Sequence, residues 1–278
     1  MKYILALLVL ILFSETASFA QNIEGIAYYK SFRSFDMKKD STLTSPINDK
    51  LQADLLAQLK KQMQREYKLS FKGPESIYVI EEKLEAPKPA SGSGITITMS
   101  GNTDVLYRNL KDENYITETE IMNKAFLIED KLKKTDWKLE KETKNIGQYM
   151  CFKATYTRDE EGEKYNSATN EFDPYTKTVV TTVWYTPQIP LSHGPDEYWG
   201  LPGLVLEANE GKNSLLCYKV VLNPSEEINI EIPSNGKKVD QAEYDDISEK
   251  KQAEMREQMK DFKNGNGKST TRTVIFGG

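Results

Sequence analysis

The chain has 278 residues, 38% hydrophobic and 28% charged, and its 37 Lys and Arg against 42 Asp and Glu leave a net charge of -5. That acidity, with no basic stripe to overrule it, disfavours nucleic-acid binding, which depends on clustered cations neutralising phosphates. A single histidine excludes zinc sites built on several imidazoles, and the two cysteines form no CxxC pair, so no metal or cofactor is expected.

The amino terminus reads as a secretory signal peptide over residues 1–20. Met1-Lys2 carries a charge, Tyr3 to Phe13 is an unbroken apolar run, and small residues approach Ser18-Phe19-Ala20. A transmembrane anchor is the rival reading, but the run falls short of the roughly 20 residues a bilayer requires. Cleavage is predicted after Ala20, and no cysteine lies near that point to carry a lipid. No second apolar run could span a membrane, and the mean hydropathy is -0.60. Nothing reads as an interdomain linker, so one β-rich domain is expected over 21–278, with 240–278 as a peripheral helix and tail.

Strand signals then follow in order: Ile23 to Phe32, the pair Tyr67 to Phe71 and Ser76 to Glu81 around a Gly73-Pro74 turn, Ile95 to Met99, and Asp104 to Asn109. They continue through Tyr115 to Met122, Lys124 to Ile128, Trp137 to Thr143, Gly147 to Thr157, Lys177 to Thr186, Leu204 to Ala208 and Ser214 to Leu222. Thr273 to Phe276 offers a last edge strand. Two helices interrupt the pattern. Ser45-Pro46 starts one whose stripe is Ile47, Leu51, Leu55, Leu56, Leu59 and Met63; a second runs from about Ala242 to Phe262 with Tyr244, Ile247 and Met255 on a narrow stripe. The fold class predicted is α+β: a curved antiparallel sheet or open half-barrel, the first helix on its concave face and the second near the carboxyl terminus.

Export makes a disulfide between Cys151 and Cys217 chemically permissible; two unpaired thiols is the other reading. Alternation along Met150 to Tyr156 and Leu216 to Leu222 puts both cysteines on the face away from the inferred core, beside Lys153 and Lys219.

One stretch is denser in aromatic, proline and glycine residues than the rest. It runs Val183-Trp184-Tyr185-Thr186-Pro187-Gln188-Ile189-Pro190, then Ser192-His193-Gly194-Pro195, then Tyr198-Trp199-Gly200-Leu201-Pro202-Gly203-Leu204-Val205-Leu206. Pro202 followed by Gly203 suits a type II turn over Leu201 to Leu204, and Gly200 permits close backbone approach before it. Pro187, Pro190 and Pro195 restrict the chain upstream. The structural reading is a rigid crossover packed by Trp184 and Trp199. The functional reading is that Tyr185, His193, Tyr198 and Trp199 line a ligand or partner surface.

This stretch resembles the GLPGLI family of secreted Bacteroidota proteins, with Gly200 to Val205 reading GLPGLV; Trp137 and Cys151-Phe152-Lys153-Ala154 also look like family features. The resemblance implies the periplasm or cell envelope of a Gram-negative bacterium, and it supplies no activity. No catalytic residue is assigned. A hydrolase would have to use His193, whose neighbour Ser192 is poorly placed as a nucleophile, or a pair of acids such as glycosidases use. Asp159-Glu160-Glu161 and Asp245-Asp246 read as solvated loop and helix-start charges, and no EF-hand spacing accompanies them. The expectation is a noncatalytic envelope protein that binds an apolar small molecule or an outer-membrane partner, and that is not integral to the membrane once its leader is removed.

Overall fold

A computed structural model describes residues 23–34, 64–81, 104–166, 169 and 171–264. The leader, the helix expected over 47–63 and the strands expected over 95–99 and 273–276 lie outside the described residues. Within them the chain forms β1 (Glu24–Arg33), β2 (Glu66–Lys72), β3 (Glu75–Ile80), β4 (Val105–Asn109), β5 (Asn114–Ile121), β6 (Lys124–Lys131), β7 (Lys138–Ile146), β8 (Tyr149–Asn166), β9 (Glu171–Thr186), β10 (Leu204–Glu210), β11 (Asn213–Leu222), β12 (Lys237–Val239) and a helix, α1 (Gln241–Asn264). The α+β class, mostly antiparallel and predominantly β with a carboxyl-terminal helix, is as expected. No described helix is long and apolar enough to cross a membrane.

The chain divides into two compact units, Met1–Tyr78 with Lys133–Ile230, and Val79–Leu132 with Glu231–Gly278. In the first, the strand order is β3-β2-β1-β11-β10-β9-β8-β7. The paired registers from β2 to β7 are all antiparallel. Alternation builds one apolar face. Ala154 opposes Val183, Phe152 opposes Tyr185, Tyr185 opposes Val205, and Val183 opposes Ala208. All of these but Phe152 form a core cluster with Leu201, against which Phe152, Trp137, Tyr198 and Leu215 pack. The same face continues through Cys217 opposite Tyr29, Ala27 opposite Leu69, and Gly25 opposite Phe71. Tyr29, Leu69 and Phe71 are wholly buried, each contributing about 2 kcal/mol or more by the transfer of its apolar surface from water.

The placement of Cys217 needs correcting, while Cys151 keeps the expected face, alternating with the core-side Phe152 and Ala154. Cys151 and Cys217 are both buried and both free thiols, so no bridge joins them. On β11 the core-facing residues are Leu215 and Cys217, while Tyr218 and Leu222 are exposed. Apolar parity misled there because tyrosine is amphipathic. Tyr218 turns outward, donates to Glu66 (3.1 Å), and carries the Lys30 ammonium 4.6 Å from its ring centroid.

The second unit is a meander, β4-β5-β6, with β12 added in parallel beside β6. Its core is Phe126, Ile128 and Val239, covered by Tyr115, Ile121, Tyr244 and Ile247. Asp240 caps α1: its carboxylate accepts from the Glu243 amide at 2.8 Å and its carbonyl from the Tyr244 amide at 3.0 Å. Tyr244 then meets Phe126 edge-on at 5.8 Å, and Tyr115 donates to Gln241 at 2.8 Å. The expected stripe thus does its packing through its first turns.

Candidate functional site

Residues 187–203 connect β9 to β10 and lie over the apolar face of the first unit. Backbone hydrogen bonds fasten the loop to itself and to β10: Gly200 N–H to Ser192 O (3.0 Å), Leu204 N–H to Ile189 O (3.0 Å), and Val205 N–H to His193 O (3.1 Å). Ile189, Leu201 and Leu204 are buried beneath it. Two side chains from elsewhere complete the fastening. Trp137 Nε1 donates to the Trp199 carbonyl at 2.9 Å, and Tyr29, from β1, donates its hydroxyl to the Val205 carbonyl at 2.7 Å.

The glycine-proline turn differs from the expected type II form. Gly203 N–H bonds back to Leu201 O at 2.8 Å, a three-residue turn centred on Pro202, whose ring fixes the negative φ such a turn uses. Gly203 is required for space instead, since a Cβ there would lie 2.1 Å from the Thr186 carbonyl oxygen. Gly194 is tighter still, with the Tyr198 carbonyl oxygen 1.8 Å from where its Cβ would be. At Gly200 the requirement is the positive φ of 86°, since nothing crowds it closer than Lys134 at 3.6 Å.

His193 is fully buried. Its ring stacks on Phe71 with centroids 6.0 Å apart, and Nε2 sits 2.9 Å from the Gly73 carbonyl; a carbonyl can only accept, so Nε2 carries the proton. Tyr185 is buried in the core cluster, and its burial holds the phenol above its ordinary range. Trp184 does not pack the loop as expected. It faces the other side of the sheet, opposite Lys153 and Glu207, with the Lys144 ammonium 4.4 Å from its ring centroid. Of the four residues read as a binding surface, only Tyr198 and Trp199 are half-buried; Tyr185 and His193 are sealed.

Beside Tyr198 lies a charged group that the motif did not announce. Arg158 grips Glu210 with two hydrogen bonds of 2.8 and 2.9 Å, and Thr181 donates to the same carboxylate. The Arg158 hydrogen bond holds the Glu210 carboxyl below its usual range. Glu197 is exposed as a residue, yet partial desolvation of its carboxyl, reinforced by Asp196, raises it. Burial, with Glu210, Glu197 and Asp196 nearby, pushes the Tyr198 phenol up strongly. Buried thiols behave likewise: Cys151 rises to about 11 and Cys217 to about 12, both chiefly by desolvation. No group of three or more metal-ligating side chains occurs among the described residues.

Residues 137–207 match the family model described as "Protein of unknown function (Porph_ging)". The Porph_ging match begins at the tryptophan that anchors the loop, ends within β10, and so contains the whole fastened segment. No curated protein matches the chain. Among solved structures, PNGF-II in its P21 and C2 space groups is similar at 16% and 15% identity, with a TM-score of 0.45 in each case. Each alignment covers 81% of this chain but 32% of the PNGF-II chain.

Proposed function

We propose that this chain is an exported cell-envelope protein of the GLPGLI type that acts by binding an envelope protein partner, its motif loop serving to hold the sheet in shape. The observation that carries this reading is His193. Its ring is spent on Phe71 and on a backbone carbonyl in a fully buried site, where a substrate has no approach. The glycines and prolines around it answer to packing demands. Exposed apolar side chains supply the binding side: Phe172, Tyr175 and Val180 stand on one hairpin, on the strand that leads into the loop.

The test has two arms. Mass spectrometry of the envelope fraction is expected to find a product beginning at Gln21, and native mass spectrometry after mild extraction to find the chain with a protein bound. A full-length chain in the cytosol, or a retained small apolar molecule and no protein, would overturn it. A hydrolytic reading draws on one observation, a raised Glu197 near a lowered Glu210, the kind of split that separates a general acid from a base. Arg158 and Thr181 already occupy Glu210, which makes it a poor base. An activity on glycans or peptides that Glu197→Gln abolishes would establish that alternative.

A further inference from the structure

The hairpin of β8 and β9 outruns its neighbours. β7 stops pairing with β8 at Lys138↔Thr155, and β10 stops pairing with β9 at Glu210↔Thr181. Beyond those points the two strands pair only with each other, from Thr157↔Val180 to Asn166↔Glu171. Among the described residues this ribbon therefore has an open edge on each side, the form of template to which another strand adds through backbone hydrogen bonds. β7, an outermost strand of the same unit, is guarded by Lys138, Lys141 and Lys144 and by a break in register between Leu139 and Thr143. The ribbon keeps an unbroken register, Pro174 lies on β9 and not on β8, and its net charge has the other sign. Over 157–180 the acids are Asp159, Glu160, Glu161, Glu163, Glu171 and Asp173, against Arg158, Lys164 and Lys177. Arg158 is moreover committed to Glu210.

The register sorts these charges by face. Asp159 and Glu161 point the same way, opposite Thr178 and Thr176, and that face carries Phe172 and Val180 but no Lys or Arg. Successive carboxylates on one face stand about 7 Å apart, the spacing of alternate residues on any added strand. Local contacts hold the ribbon ready. Tyr175 lies over Gly162, Thr178 donates to Asp159 at 2.8 Å, and Asn166 donates to Asp173 at 2.9 Å. Phe172, Tyr175 and Val180 remain 39%, 46% and 50% exposed.

We propose that this ribbon is a docking arm that receives an extended segment with Lys or Arg at alternate positions from an envelope protein, added as a strand along the open edge. The proposal rests on the partner reading above and names its site and chemistry. Along the β8 edge, like-spaced cations meet Asp159 and Glu161, and the apolar residues between them fall on the opposite face, where the exposed Tyr175 lies over Gly162.

The probe is a short peptide alternating lysine and valine, titrated against the full chain with hydrogen exchange as readout, beside a peptide alternating glutamate and valine. The lysine peptide is expected to slow amide exchange within 157–166, and the glutamate peptide to leave it unchanged. Asp159→Lys with Glu161→Lys should weaken binding by about tenfold or more, and the isosteric Asp159→Asn with Glu161→Gln should weaken it less. Glu226→Lys with Glu227→Lys makes the same change in net charge elsewhere and should leave binding unaltered. Equal loss in both reversals, protection only outside 157–166, or no binding overturns the docking arm. Photo-crosslinkers at Phe172, Phe32 and Ile232 in whole cells separate the two levels. Adducts at Phe32 or Ile232 with none at Phe172 sink the arm and leave the partner reading standing, whereas adducts at no position sink both.

Discussion

Gly194 and Gly203 lie where backbone meets backbone, and a methyl group at either would overlap a carbonyl oxygen. Backbone cannot rotate aside as a long side chain can, so Gly194→Ala is expected to destabilise the chain by about 2–4 kcal/mol. A urea midpoint shift measures it, and an unchanged midpoint would mean that the loop is less tightly seated than described. Tyr29→Phe is a gentler probe. It keeps the ring and leaves the Val205 carbonyl buried without its donor, for an expected loss of about 1–2 kcal/mol by the same assay. The glycine-proline pattern was visible in the sequence, but what each glycine avoids was not, because the Thr186 and Tyr198 carbonyls meet Gly203 and Gly194 only once the loop has folded back on itself.

Most strands announced themselves by alternation, and the outer halves of β8 and β9 did not. Asp159-Glu160-Glu161 read as loop because the segment has acids on both faces and Pro174 in its second strand; the pairing seen there is carried by cross-strand contacts that composition does not encode. The three-residue β12 escaped for another reason, since it depends on β6 for every hydrogen bond it makes as a strand. At the root of the ribbon the Arg158–Glu210 pair ties β8 to β10. Glu210 has its folded-state pKa lowered, so the stability it adds is present above the ordinary carboxylate pKa and is lost as pH falls through the folded value. Glu210→Gln is accordingly expected to cost about 1 kcal/mol near neutrality, a figure discounted because the pair is partly exposed, and to flatten the acid limb of a stability-against-pH curve. An acid limb identical to the parent's would remove Glu210 from that role.

Over the whole molecule, the thiols decide how the fold would be held in the oxidising compartment proposed above. Buried and pushed to about 11 and about 12, Cys151 and Cys217 stay protonated at neutral pH and are poor nucleophiles. Purified protein should show both thiols reacting after denaturation and almost none before, with a thermal midpoint that reductant does not move; a lowered midpoint on reduction would reveal a bridge. The division into two units also left no mark in composition, because each unit draws on two separated stretches of chain and no linker joins them. Local information was enough for the β-rich class and the carboxyl-terminal helix, since periodicity acts between near neighbours in the chain. Which face each strand buries, where His193 comes to rest and how far the ribbon extends were decided only by tertiary structure, because they depend on residues as distant as Phe71 and His193 being brought into contact.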